Sequence, residues 1–464
     1  MPGALAALIL KFHEGSVLCT TAIIVLTLSD GSGLLQPPSC KSCKMVFCQG
    51  TEMYFYNGLQ DYTAKVYRMV ETSKFSDAAI RLHQHVVKQH WNNSAVIGPD
   101  PGIRFNARIW RFLKSYLWFV PWSDSLAYAQ AQKYWILANW YMSELGFADS
   151  ATCREMAIAC TDYLLSIQHP DGYWEYPNPE WKGRIATVEG NYGAMGLLET
   201  YMRTGQEQLL AGAEKWYDYS TEKIGFQKFD NMLAINYFGN VTTGMVPNNS
   251  ASALRIYGQL FKASGDERYL EYCPGMVRWL NQVQLETGEL PYAVAGPGQS
   301  EDMTRIHFLC HQYNAFQYLN LADYYRFTGD TAIVDVLKNL ARFVATGITA
   351  EGACRYDCLH QTPEVTYYGV AAGAALRDAS MSGWGDYHDL ADRAYAKALS
   401  IQQPSGAFAY HSRQNYGYLS DQRSYPRYLS MVLYHLLLEA KWQGQREPQA
   451  ATSQEQKQPE LMVA

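Results

Sequence analysis

The 464-residue chain has no excess of positive charge: 38 Lys and Arg stand against 44 Asp and Glu, a formal net charge of −6. That balance argues against a surface that coats nucleic acid or another polyanion. It also has no long hydrophobic run. The apolar stretch from Val17 to Leu26 is too short to span a bilayer, so no firm membrane association is expected. It has the character of a signal h-region, yet no Ala-x-Ala site follows it and Glu14 sits in the preceding segment. Residues 1–50 therefore read as a leader or as sequence ahead of the true start, with Met45 or Met53 as alternative first residues. No second Cys-x2-Cys accompanies Cys40, Cys43 and Cys48, which leaves that cluster weak as a zinc knuckle. Cys153, Cys160, Cys273, Cys310, Cys354 and Cys358 are scattered and read as small apolar core residues. That distribution favours the cytoplasm, whereas a working signal segment in residues 1–30 would mean export. Strand signals are few and short, as in 408–410. The Gln- and Glu-rich tail, 443–464, reads as disordered.

What the chain does have is a repeat. Gln-x3-Gly-x3-Tyr occurs at Gln168-Gly172-Tyr176, Gln284-Gly288-Tyr292 and Gln402-Gly406-Tyr410, with the Gln residues 116 and 118 positions apart. Gly225 and Gly352-Tyr356 punctuate the gaps, so the unit is roughly 58–60 residues. Each unit reads as two helices. The first ends at a Gly, as at Tyr201-Met202-Arg203-Thr204-Gly205 and again before Gly265 and Gly329. The second helices are expected near 151–168, 207–222, 268–285, 331–347 and 387–403. Hairpins of this size cannot bury both faces alone and must stack. The fold class expected is all-α: an (α/α) toroid or barrel of about six helical hairpins, over residues 51–442.

Tyr163-Leu164-x3-Gln168-x3-Gly172-x-Trp174 resembles the QW motif of squalene-cyclase-type terpenoid cyclases, and Trp279-Leu280-x3-Gln284-x3-Gly288-x-Leu290 is a degraded copy. In that family the Gln ties the end of one helix to the next repeat. Similar sequences recur in α/α-toroid polysaccharide lyases, uronyl epimerases and six-hairpin glycosidases. The resemblance covers most of residues 120–442 and implies architecture; it does not give function. The Asp-x-Asp-Asp acid motif of the cyclases is absent, which disfavours that activity.

Candidate chemistry sits on the first helices of the units. From a helix expected to begin near Ile306, His307, His311, Asn314 and Tyr318 share one face. Such a stripe either hydrogen-bonds in the core or faces a cleft. His307 and His311 have a zinc-compatible spacing, but no third ligand is legible, so neither metal nor cofactor is expected. Asp124, Tyr128, Gln132 and Asn139 form a second stripe, and Asp124 also suits an N-cap. Glu189, Asn191 and Tyr192 open another helix, Asn248 and Asn249 the next, then Tyr367 and Tyr368, then Tyr425, Arg427 and Tyr428. Trp174, Trp181 and Arg184 mark a rim for a sugar chain, and Arg413, Arg423 and Arg427 are candidates to hold a carboxylate.

An Asn/His/Tyr/Arg set suits abstraction of the C5 proton of a uronic acid, as by a lyase or an epimerase. The expected catalytic residues are His307, His311, Tyr368, Glu189 and Asp124. Asn248, Asn249, Asn314, Tyr192, Trp174, Trp181, Arg184 and Arg427 are expected to bind an acidic polysaccharide or oligosaccharide. A glycoside hydrolase would instead oppose two carboxyls, with Asp124 and Glu189 the best pair. A non-catalytic toroid that binds glycan or protein would keep the aromatic rim alone.

Overall fold

The computed structural model describes residues 74–101, 113–117, 119–239, 241, 243–412 and 420–455, with backbone only beyond 444, and four short strands ahead of them. The chain divides between Val70 and Glu71. In the first unit β1 (Leu5–Ile9) pairs antiparallel with β2 (Ile23–Thr27), and β3 (Met45–Gln49) with β4 (Glu52–Tyr56). Cys40, Cys43 and Arg413 lie outside the described residues.

The second unit is built from α1 (Lys74–His90), α2 (Ala129–Leu145), α3 (Ser150–Ser166), α4 (Thr187–Thr204), α5 (Glu207–Tyr219), α6 (Pro247–Ser264), α7 (Cys273–Val283), α8 (Cys310–Thr328), α9 (Val334–Ala345), α10 (Thr366–Met381), α11 (His388–Ser400) and α12 (Pro426–Glu455). The even-numbered helices form an inner ring: each packs on the next, and α12 returns to pack on α2. The odd-numbered helices lie outside them, and the ring is closed. This is the expected all-α toroid of six hairpins. No helix of the described residues is long and apolar enough to cross a membrane.

Side-chain size explains which helices go inside. Inner helices are buried on nearly every face, so large side chains cannot repeat along them. On α4 a Cβ at Gly190 would lie 2.2 Å from Trp216, at Gly193 2.7 Å from Trp174, and at Gly196 2.7 Å from Leu164. Outer-layer aromatics thus press directly on inner backbone. The outer helices bury one stripe instead, as α9 does with Val336, Leu337, Leu340, Ala341, Phe343 and Val344. Gly205, Gly265 and Gly329 end inner helices in the left-handed conformation, as expected.

The Gln motif is the clasp between neighbours. Gln168 Nε2 donates to Gly172 O and to Gly212 O of α5, both at 2.8 Å. Gln284 Nε2 donates to Gly288 O at 3.0 Å and to Val336 O of α9 at 3.1 Å. Gln402 Nε2 donates to Gly406 O at 2.9 Å and to Ala78 O of α1 at 2.8 Å. The third copy therefore ties the last outer helix to the first.

Three local expectations are corrected. The helix expected from Asp124 begins at Ala129, because its first turn is built on Tyr128, an extended N-cap. The helix expected near Ile306 begins at Cys310, because His307 and Leu309 take positive φ, 61° and 47°. Residues 408–410 form no strand; the hairpin found in this unit pairs β5 (Phe226–Phe229) with β6 (Met232–Ile235).

Candidate functional site

The first turns of all six inner helices converge on one cavity. Gln130 enters from α2, Val188 and Tyr192 from α4, and Asn248 and Asn249 from α6. Gln312, Tyr313 and Phe316 enter from α8, Tyr367 from α10, and Arg427, Tyr428 and Met431 from α12. Connecting loops add Tyr176, Tyr237 and Tyr292. Rings brace the wall: Tyr367 stacks on Tyr428 at 4.3 Å, Tyr292 meets Tyr313 edge-on at 5.0 Å, and Tyr176 lies 4.6 Å from Trp181.

Two features make this space polar. Asn249 Nδ2 and Gln312 Oε1 are buried, line the cavity, and have no hydrogen-bond partner among the described residues. A buried donor and acceptor left unmet are costly unless a ligand or water meets them. In addition α2, α4, α6, α8 and α10 carry no side-chain cap of their own at the N-terminus. Glu189 lies at the N-termini of α2 and α4, whereas α6, α8 and α10 have no acidic residue in the first turn, so their positive ends face the cavity without an offset.

Arg427 supplies less charge than its sequence position implied. Its guanidinium pairs with Asp100, Nε to Oδ2 at 2.7 Å and Nη2 to Oδ1 at 2.8 Å, and lies over the rings of Tyr128 and Tyr428. Asp100, 1% exposed, carried no motif that singled it out in the sequence. Glu189 sits behind the wall beside Val188, and its Oε1 accepts from Ala129 N at 2.6 Å. Burial pushes its carboxyl up to about 8, with the Asp100 charge adding to the rise and Arg427 opposing it. Burial likewise raises the hydroxyls of Tyr192, Tyr313 and Tyr367, so they are held as protonated phenols.

A pH dependence of stability follows. A carboxyl whose folded pKa lies above its unfolded value stabilises the fold fully below the unfolded pKa. That contribution is lost as pH rises through the folded one. The urea midpoint of the protein is expected to fall between about pH 5 and pH 8, and that of Glu189→Gln to fall less over the same range. Parallel curves for the two proteins would mean that Glu189 is solvated.

Of the residues expected from sequence, Asn248, Asn249, Tyr192 and Arg427 line the cavity together. The others do not. Tyr368 is one residue past the lining Tyr367 and buried beneath it, ring centroids 4.7 Å apart. His311 points outward between helices, stacked 4.9 Å from Phe343 of α9, and burial followed by the Arg355 charge lowers its pKa to about 4. Asn314 bridges Leu290 N and O, and Tyr318 donates to Asp378, so that stripe is a core network. The other stripe is also internal: Gln132 holds Val96 N and O, and Asn139 meets His83. Asp124 accepts from Trp122 Nε1 at 2.7 Å in a separate groove with Arg423, apart from Glu189. Trp174 is core and donates to Leu164 O. Trp181 backs Tyr176, and Arg184 is exposed over Phe238. His307 bonds Glu289 away from the lining.

A second cavity, about 500 Å³, lies farther along the inner helices, lined among others by Lys133, Arg255, Asp323, Arg326 and Asp378. Its charges pair mostly with one another. Arg255 bridges Glu199 and Asp323, and Arg326 bridges Asp323 and Asp378. Lys133 is set over the rings of Tyr134 and Tyr434, and burial holds its ammonium well below the usual lysine range.

A closed ring of six helical hairpins is the fold of the six-hairpin α/α-toroid glycosidases, lyases and epimerases. Among solved structures the chain is similar to a family 76 glycoside hydrolase from a bovine Bacteroides thetaiotaomicron strain. The TM-score is 0.58 at 10% identity, over 80% of this chain and 78% of that one. It is similar to cellobiose 2-epimerase from Bacillus thermoamylovorans, with TM-score 0.58 at 13% identity over 79% and 99%. It is also similar to a polysaccharide lyase, with TM-score 0.52 at 12% identity over 68% and 91%. At these identities the likeness is one of fold. No family model matches the sequence, and no curated protein does.

Proposed function

We propose that this protein is a carbohydrate-active enzyme that acts on an acidic, uronic-acid-containing polysaccharide or oligosaccharide by proton transfer at C5, as a lyase or an epimerase. The observation that carries this reading is the unmet pair Asn249 Nδ2 and Gln312 Oε1 in a wall of tyrosines. Aromatic faces suit sugar rings, and the amides suit hydroxyl or carboxylate oxygens. Negative charge that develops on a uronate carboxylate during C5 deprotonation would meet the side chains of Asn248 and Asn249 and the positive ends of α6, α8 and α10. The C5 proton would pass to one lining tyrosine that must first ionise, a step burial opposes, and the other phenol of the pair Tyr367 and Tyr313 would return a proton to C5 or to the leaving oxygen. Hydrolysis by opposed carboxyls finds less support: no Asp or Glu is among the described residues lining the cavity. The same lining contains no His, which favours a non-catalytic glycan-binding toroid as the second reading.

Incubation with polygalacturonate, alginate and glucuronan separates these readings. A lyase gives an unsaturated product absorbing in the near ultraviolet. An epimerase takes solvent deuterium at C5 without cutting the chain, and a hydrolase leaves saturated reducing ends. Asn249→Ala and Tyr367→Phe are expected to lower turnover by about 100-fold or more with the fold intact. Binding without any product across the panel would move the assignment to the binding toroid. Saturated reducing ends lost in Glu189→Gln would make it a glycosidase.

A further inference from the structure

Outside the cavity wall, four side chains that the cleft does not use come together. Glu289 follows the Gly288 turn after α7. His307 lies on the approach to α8 and Cys310, three positions on, opens that helix. Cys358 comes from the loop between α9 and α10. One ligand atom from each lies within 4.8 Å of the others. Glu289 is completely buried, its Oε2 2.6 Å from His307 Nδ1 and its Oε1 accepting from His307 N at 2.8 Å. Cys310 Sγ and Cys358 Sγ are 3.4 Å apart, unbonded.

We propose that Glu289, His307, Cys310 and Cys358 form a structural zinc site. Two thiols, one imidazole and one carboxylate are the donor types zinc prefers, and four of them leave no open position. The separations are close to what the ion requires. With Zn–S near 2.3 Å, tetrahedral thiolates stand about 3.8 Å apart, a few tenths of an ångström beyond the gap here. With Zn–N and Zn–O near 2.0 Å, the His307–Glu289 contact opens to about 3.3 Å, exchanging one hydrogen bond for two metal bonds. Both thiols must lose their protons on binding, Zn²⁺ + 2 RSH → Zn(SR)₂ + 2 H⁺, so affinity rises with pH. The ion would clip the loop carrying Tyr292 and the first turn of α8, which carries Gln312 and Tyr313, to the α9–α10 loop. It would thereby hold one side of the cleft without entering it.

The test uses the full, untagged chain purified under reducing conditions. Because Cys40, Cys43 and Cys48 also offer thiols, zinc is read by mass spectrometry as a difference between variants. After incubation with zinc chloride and gel filtration, the wild type is expected to hold one equivalent more than Cys358→Ser. Substituting cobalt is expected to give thiolate charge-transfer and tetrahedral d–d bands that are lost in that variant. Alkylation mapping should find Cys310 and Cys358 protected until a chelator is added. His307, 37% exposed, can be changed with little threat to folding. His307→Ala is expected to weaken zinc binding about tenfold or more. Equal zinc in wild type and Cys358→Ser overturns the site, as does unchanged affinity in His307→Ala. So does a Cys310–Cys358 disulfide in the reduced preparation. If Cys358→Ser does not fold, alkylation of Cys358 in the wild type decides: protection in zinc that is lost on adding a chelator supports the site, and equal reactivity with and without zinc overturns it.

Discussion

Gly288→Val is expected to lower the unfolding free energy by about 4 kcal/mol, combining backbone strain with overpacking. Gly288 has φ 94°, and a Cβ there would lie 2.3 Å from Asn339 O of α9. That oxygen is backbone in a helix and cannot swing aside. Gly288→Ala is expected to lose nearly as much as Val, since the clash is already complete at Cβ. Gly205→Ala supplies the internal control: φ is 68°, but nothing lies within 4 Å of its Cβ. Only the conformational cost applies there, about 1 kcal/mol. Urea unfolding of the three variants checks this. Equal losses at Gly288 and Gly205 would mean that contact with the neighbouring helix does not matter.

Arg377→Ala is expected to cost about 3–5 kcal/mol, because it strands a buried carboxylate. Arg377 is 1% exposed on α10 and donates to both oxygens of Glu439 on α12, Nε to Oε2 at 2.9 Å and Nη2 to Oε1 at 2.9 Å. It also pairs with Asp392 of α11. Glu439 has no exposure, so water cannot replace the lost partner. The double variant Arg377→Met with Glu439→Leu should recover much of the loss, since neither charge then remains in the core. Chemical denaturation measures both. A loss below about 1 kcal/mol in Arg377→Ala would show that water reaches Glu439.

The fold was legible because its joints are local. A Gln four residues before a Gly is visible in one line of sequence, and the hydrogen bonds of Gln168, Gln284 and Gln402 show what the spacing does. The cleft was legible in part for the same reason. Asn248, Asn249, Tyr192 and Arg427 stand in the first two turns of inner helices, which the repeat locates. The stripe of His311, Asn314 and Tyr318 misled because an inner helix has polar neighbours on its outer side as well. The distinction between facing the cavity and facing α9 is one of rotation about the helix, and polarity alone does not encode it. Positive φ at His307 and Leu309 delayed the helix and moved His307 off that face. Tyr367 and Tyr368 differ by one such step. Asp100 was hidden because its partner, Arg427, is 327 residues away. The same distance effect hid Cys358 from Cys310, which read separately as two small core residues.

Gln402 gripping Ala78 has a meaning beyond the bond itself. In an open array of hairpins the outermost units have one neighbour each and melt first, so the array frays inward from its ends. Here the sixth hairpin holds the first by the device that Gln168 and Gln284 use elsewhere in the ring. No unit is terminal, and none needs a special polar face to close off the stack. Removing any one hairpin would leave two others half-bare, so the six have no partial assembly to retreat to and survive or fail as one body.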